Sequence, residues 1–479
     1  MIIGSPPSGD YCWEHEKRCL LAAYKNSFSG TFDMYVFFYE KATNILNSSG
    51  VLGFITPNTF VDYSQFKSLR RFLLRNNEIN EVIKLVDVFE DAIVDTAIII
   101  LTKDKIQGNS FKGINYKKHI TNLENFNIPN VDSKNLNEDL FLLNDNSKFD
   151  LYTFLKKYDF KLNDFVKITQ GITTGGNEAF INTKGYFIDN KIDEGVLKKV
   201  LKGKSINRFK IEYDDEYILY SVKNLDENIS KNISILLEPF KDKLSSKRET
   251  KSGSLPWFCL HWSRDKNDFN VPKILIRQTA DYIIGVLDTE KYYPIDTLHT
   301  LNLKIKSEKS DELLKILVCV LNSKLFKFLY KWKLNEEGTV YPQIKKVNIE
   351  WLPLVNLVEI NNDKIIELHD NIILQNKELN EASSKILRTI QRKFDGLEIN
   401  KKLESWYELT FAEFVKELSK KKIKLSLSEE AEWEDYFLQE QQKAIALKQQ
   451  ITTTDQEIDK MVYELYGLTN EEIEIVENS

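Results

Sequence analysis

An α/β domain, a following α+β domain and a coiled-coil-like helical end are predicted by three observations. Strand and helix patterns alternate over residues 1–105. Short strand-like runs dense in Tyr, Phe, Trp and Asn fill residues 160–355. Beyond Asn361, within the last part, 361–479, apolar residues settle into a spacing of three and four. Residues 106–159 are rich in Asn, Asp and Lys without periodicity, and read as a connector.

In the first part, strands are expected at Met1–Ile3, 51–56 (VLGFIT), 79–88 and 95–104. Between them, 32–46 (FDMYVFFYEKATNIL) and 63–76 (YSQFKSLRRFLLRN) carry apolar residues at helical spacing. Such alternation argues for a mostly parallel sheet with helices on both faces. Only FEDAIV separates the last two strands, too short for a crossover helix, so they should pair antiparallel. An antiparallel strand at one edge of a parallel sheet fits many doubly wound folds. Toward the end, Ile365, Leu368, Ile372, Leu379 and Ile386 predict a long helix over 363–393. Trp433, Phe437, Ala444, Leu447, Ile451, Ile458, Met461 and Leu465 predict a second, over roughly 429–465, packed against the first.

Composition narrows the function classes. A length of 479 residues suggests two to three domains, and 42% hydrophobic with 29% charged residues describes an ordinary globular chain. Cys12, Cys19, Cys259 and Cys319 lack metal-type spacing, and no His cluster accompanies them. Free thiols in a reducing cytoplasm are expected, and no metal site. No apolar run approaches a membrane span, and no charged-then-apolar leader precedes Gly4. With a net charge of -6, nucleic-acid binding would have to come from local patches.

The opening stretch MIIGSPPSGDYCW climbs from an apolar run into Gly4 and a Pro-Pro pair. Prolines fix φ and cannot extend a sheet, so a strand ends here in a rigid turn. This turn, followed by FDMYVFFYEKA, SSGVLGFITPNTF and VFEDAIVDTAIIIL, resembles the later half of the catalytic domain of gamma-class adenine-N6 DNA methyltransferases. In that family the strand ends in Asn-Pro-Pro-Tyr. The segments ITQGITTGGNEAF (168–180), LKKVLKGKSINRF (197–209), VPKILIRQTA (271–280), LVCVLNSKLFKFLYKW (317–332) and EIDKMVYELYGLTNEEIEIVE (457–477) resemble the same lineage in its type IIG restriction–modification style. There they belong to a TaqI-like target-recognition domain and its tail. The resemblance implies a partial Rossmann-like methyltransferase sheet in 1–105 and DNA recognition in 160–355.

It also implies a chemistry. The exocyclic amine of adenine is a poor nucleophile, and the family flips the base into a pocket. There the Asn oxygen and the first Pro carbonyl accept hydrogen bonds from N6, while the Tyr and a later aromatic stack on the base. Carried over, Ser5 stands at the Asn position, Pro6 and Pro7 match, Ser8 stands at the Tyr position, and Phe89 is the second stacking aromatic. A serine hydroxyl reaches less far than an amide. Ser8 cannot stack, which costs about 1–3 kcal/mol. The family's S-adenosylmethionine is held by a Gly-rich turn and an acidic residue on earlier strands, and no such cofactor-binding residues are expected in this chain. TTGGN (173–177) matches the recognition domain and reads as a loop. The expected activity of the chain alone is therefore recognition of double-stranded DNA. A second chain would carry the donor-binding half of a split or truncated methyltransferase. The alternative is a non-enzymatic specificity subunit that docks a separate methylase or nuclease, with a coiled-coil interaction module as a third reading.

For DNA, the informative stretch is KDKLSSKRETKSGSLPWFCLHWSRDK (241–266). Lys241, Lys243, Lys247, Arg248 and Lys251 form a basic run, followed by Trp257, His261, Trp262 and Arg264. Cations grip phosphates while Arg, Asn and Gln read base edges. His261 has no partner pattern and is given no catalytic or metal role.

Overall fold

The computed structural model describes residues 1–28, 32–85, 95–116, 128–143, 151, 154, 155, 157–334, 343–357, 363–394 and 397–479. They form two compact units, Met1–Lys157 and Tyr158–Ser479.

The first unit is built on a six-stranded mixed sheet. Its strands are β1 (Ile2–Gly4), β2 (Val51–Pro57), β3 (Asn77–Leu85), β4 (Thr96–Lys103), β5 (Ser110–Tyr116) and β6 (Asn130–Asp132), in the order β1-β2-β4-β3-β5-β6. β1 runs parallel to β2 and β3 parallel to β5, while β4 is antiparallel to both β2 and β3. The antiparallel pairing of β3 with β4 agrees with the short link between them. The place of β4 does not: it lies inside the sheet rather than at an edge, because its far side takes up β2 over seven residues. Residues 106–159 are also more than a connector, since β5 and β6 extend the sheet. Their short alternating stretches are too brief to show a period.

Helices α1 (Glu14–Ala23), α2 (Met34–Ile45) and α3 (Lys67–Asn76) belong to this unit. Tyr35, Tyr39, Leu69 and Leu73 from α2 and α3 join Leu52, Phe54, Ile99 and Leu101 in one core. The alternate side chains Val51, Ile55, Ile98 and Ile100 stay half-buried, so cover by these helices is one-sided among the described residues. α1 buries no residue. Arg70 of α3 is completely buried and donates to the carbonyls of Phe60, Tyr63, Glu138 and Asp139. It thereby ties the segment after β2 to the chain beyond β6.

In the second unit, strands Gly285–Asp288, Lys273–Arg277, Leu298–Leu303 and Val166–Gln170 form, in that order, an antiparallel sheet. A second sheet orders Tyr293–Pro294, Leu197–Leu201, Glu216–Leu219 and Ile181–Thr183. Lys273 and Asp288 are fully buried as an ion pair at 2.5 Å on adjacent strands. The helical end matches the spacing: Asp363–Lys393 and Leu427–Leu465 are long helices packed on each other. Trp406, Phe414 and Leu418, from the segment between them, fill their shared core. These helices do not stand apart from the strands. Arg208 pairs with Asp455 at 2.7 Å, the Lys324 N–H donates to Asp459 at 2.8 Å, and Tyr158 donates to the Tyr466 carbonyl at 2.8 Å.

Candidate functional site

β1 ends at Gly4, directly before the Ser-Pro-Pro-Ser stretch. Pro6 is buried, Ser5 and Pro7 are exposed, and Ser8 is half-buried. Gly9 follows with φ +99°, a conformation that favours glycine. Its N–H donates to Asp33 Oδ1 at 2.7 Å, and its carbonyl accepts from the Met34 N–H at 3.2 Å. Asp33 is the N-cap of α2, so the turn is clamped to that helix. Burial pushes the Asp33 carboxyl above its ordinary range, against the Gly9 N–H that favours the charged form. Behind the turn, Tyr35 and Tyr39 exchange hydrogen bonds with the hydroxyls of Thr59 and Thr56 at 3.0 Å. Their phenols, buried on α2, are pushed well above the usual range.

Ser5 and Ser8 thus flank the Pro-Pro pair, the first exposed and the second half-buried, with no aromatic at either position. Tyr11 and Trp13 stand exposed just beyond it, at 82% and 74%. The sequence offered no sign of this, because two aromatics spaced by one residue suggest no particular surface. Phe89 lies outside the described residues.

The basic run divides once it folds. Arg248 and Lys251 are exposed on a single helical turn, Arg248–Lys251. Lys241 is exposed, pairs with Glu238 at 2.8 Å and lies 5.3 Å from the half-buried Trp257 ring. Lys243 pairs with Glu178. Lys247 must be removed from the phosphate-binding set. It is 8% exposed, donates to the Cys259 carbonyl at 2.9 Å and lies over the Phe180 ring at 5.5 Å. Burial lowers its pKa. Its neighbours in sequence are solvated, and only the turn of the chain carries it inward.

Arg264 lies on the loop that follows. The loops 171–176 and 261–264 pair through Thr173 and Trp262, whose backbones exchange two hydrogen bonds. Gly171 permits this path, since a Cβ there would fall 2.1 Å from the Ile295 carbonyl oxygen. The His261 ring stacks on Trp262, 4.6 Å between centroids, and Nε2 meets Glu249 Oε2 at 2.8 Å. His261 thus joins the exposed helical turn to the Trp262 loop. Among the described residues, no group of three or more His, Cys, Asp or Glu is placed to hold a metal ion.

Three family models match the chain. Residues 1–89 match the Eco57I restriction-modification methylase, 198–354 the TaqI-like C-terminal specificity domain, and 358–462 a domain of unknown function. The type II restriction enzyme and methyltransferase RM.Eco57I of Escherichia coli is 22% identical, covering 63% of this chain and 34% of its own length. The type II methyltransferase M.AccI of Acinetobacter calcoaceticus is 24% identical, covering 54% of this chain and 52% of its own. This chain therefore matches a third to a half of the length of these relatives. Among solved structures, the type IIL restriction-modification enzyme MmeI in complex with DNA shares the fold over 98% of this chain and 55% of its own, with a TM-score of 0.53 and 14% identity.

Proposed function

We propose that this chain, which joins an Eco57I-like restriction–modification methylase segment to a TaqI-like specificity domain, is the DNA-recognising part of an adenine-N6 DNA methyltransferase of type IIG style. The observation that carries this reading is the surface of the second unit. Within the matched segment, exposed Arg248 and Lys251 stand beside a Trp262–Arg264 loop that is tied to them through Glu249 and His261. Exposed cations beside an aromatic and a guanidinium held by other contacts are what phosphate gripping and base reading each require.

The family's methyl donor, S-adenosylmethionine, would bring the electrophilic methyl group. Two stretches of Met1–Lys157 near the Pro-Pro pair are already committed to contacts within the chain. After β1 the Gly9 N–H is taken by Asp33, and Tyr39 and Tyr35 bond the hydroxyls of Thr56 at the end of β2 and Thr59 just beyond it. What this chain's residues do is hold a corner at which Ser5 and the Pro6 carbonyl can accept from an amine.

Salt-dependent binding tests the proposal. Anisotropy titrations of the full chain with duplex DNA are expected to lose affinity steeply as salt rises. Arg248→Ala with Lys251→Ala is expected to weaken binding for all sequences and flatten the slope by about one unit per lost phosphate contact. Binding indifferent to salt contradicts it. The serines at positions 5 and 8 favour a second reading, a specificity subunit without catalysis. Labelled donor with the pure chain is expected to give background counts only. Transfer to adenine once a donor-binding chain is added would decide for the methyltransferase, and its failure for the subunit.

A further inference from the structure

We propose that Arg264 reads a guanine in the target site, and that Trp262 positions it. The inference rests on the DNA-recognition reading above and assigns one base contact within it. Arg264 holds φ +61°, a left-handed conformation that a bulky residue adopts only when its surroundings demand it. The Tyr220 hydroxyl holds the backbone here, donating to the Arg264 carbonyl at 3.2 Å, and separate contacts hold the guanidinium. Nε donates to the Gly171 carbonyl at 3.1 Å, and Nη2 meets Gln170 Oε1 at 3.4 Å. The guanidinium carbon lies 5.2 Å from the centre of the Trp262 ring. The ring is in turn backed by His261.

Other arginines of this unit show the contrast. Arg277 spends its donors on Gly203, Ile206 and Asn207, and Arg208 pairs with Asp455. These are structural. Arg264 is only half-buried, and its Nη1 hydrogens meet no protein acceptor among the described residues. A fork fixed at its base and open at its tip matches the O6 and N7 acceptors that guanine presents in the major groove. Fixing the plane in advance also removes the ordering cost of a long side chain before the base arrives. The Trp262 ring, 48% exposed, stacks on His261 and lies beside the Arg264 guanidinium, so it supports that group as a positioning residue.

Binding-site selection from randomised duplexes, with the full chain, tests this. Wild type is expected to select a site containing an obligatory guanine. Arg264→Lys keeps the charge and meets the same backbone demand at φ +61°, but has no planar fork. It is expected to lose the guanine preference at one position and about ten- to hundredfold in affinity for the selected site. Its salt slope should be unchanged. Trp262→Ala is expected to blur the same position and Trp262→Phe to restore it. Arg264→Lys that selects the wild-type site with wild-type affinity overturns the inference and leaves the DNA-binding reading standing. A uniform loss across sequences with a shallower salt slope also overturns it, making Arg264 a phosphate contact. Wild type that binds no duplex overturns both.

Discussion

Asp459, on the second long helix, is 2% exposed, and its Oδ1 accepts the Lys324 N–H. Burial dominates and pushes its carboxyl up to about 6. The folded chain therefore holds a proton that the unfolded chain releases from about pH 4 upward, and this group's contribution to stability falls as pH rises from about 4 to 6. Asp459→Asn keeps the acceptor and discards the charge. Denaturation curves across that window should be flatter for the variant, and its midpoint higher than wild type at neutral pH. Arg70 behaves in the opposite sense. Its guanidinium, lowered to about 10 by burial, is still charged at neutral pH and serves four carbonyls. Arg70→Met strands those acceptors, and urea melts should show a loss on the order of 3 kcal/mol in the first unit. Residues of this kind were not legible in the sequence. Lys247 sits in a basic run and looks solvated, while Arg264 carries no mark of its left-handed backbone. Both depend on contacts with residues far along the chain. That β1 stops at Gly4, before the Pro-Pro pair, was legible because proline has no N–H to give a sheet.

Elements were legible to the degree that they bury a regular stripe. The helix expected over 363–393 is found there because one face repeats apolar residues along its whole length. α1 escaped notice for the converse reason: it buries nothing, and it is started by Glu16 accepting the Trp13 N–H at 2.8 Å. The order of strands was harder, since which neighbour β4 chooses is settled by packing and not by its own letters. The edge strand β1 is the weakest element of its sheet. It spans three residues, pairs only with β2 among the described residues, and leaves Ile3 72% exposed. Edges of this kind fray or recruit other chains. Hydrogen exchange should find Ile2–Gly4 unprotected and β4, bonded on both sides, the slowest strand of the first unit. Equal protection of the two would contradict this.

At the scale of the whole molecule, the middle and the end of the chain are one structure. Strand 166–170 and strand 298–303 meet through Thr169 and Thr300, which are 131 residues apart, and Tyr158 bonds Tyr466 across 308. A piece ending at residue 355 loses the partners of Arg208, Lys324 and Tyr158. Residues 158–479 made alone should melt in one cooperative step, whereas 158–355 should bind hydrophobic dye and show no sharp transition. A sharp melt of the shorter piece would show that the helical end is an appendage. The same long-range closure sets a clock on biosynthesis. At about 5–20 residues per second, Tyr158 leaves the ribosome roughly 15–60 s before its partner Tyr466. Through that interval the inner faces of the new sheets await their cover. For most of its synthesis the growing chain thus carries apolar sheet faces that its last helices have yet to close.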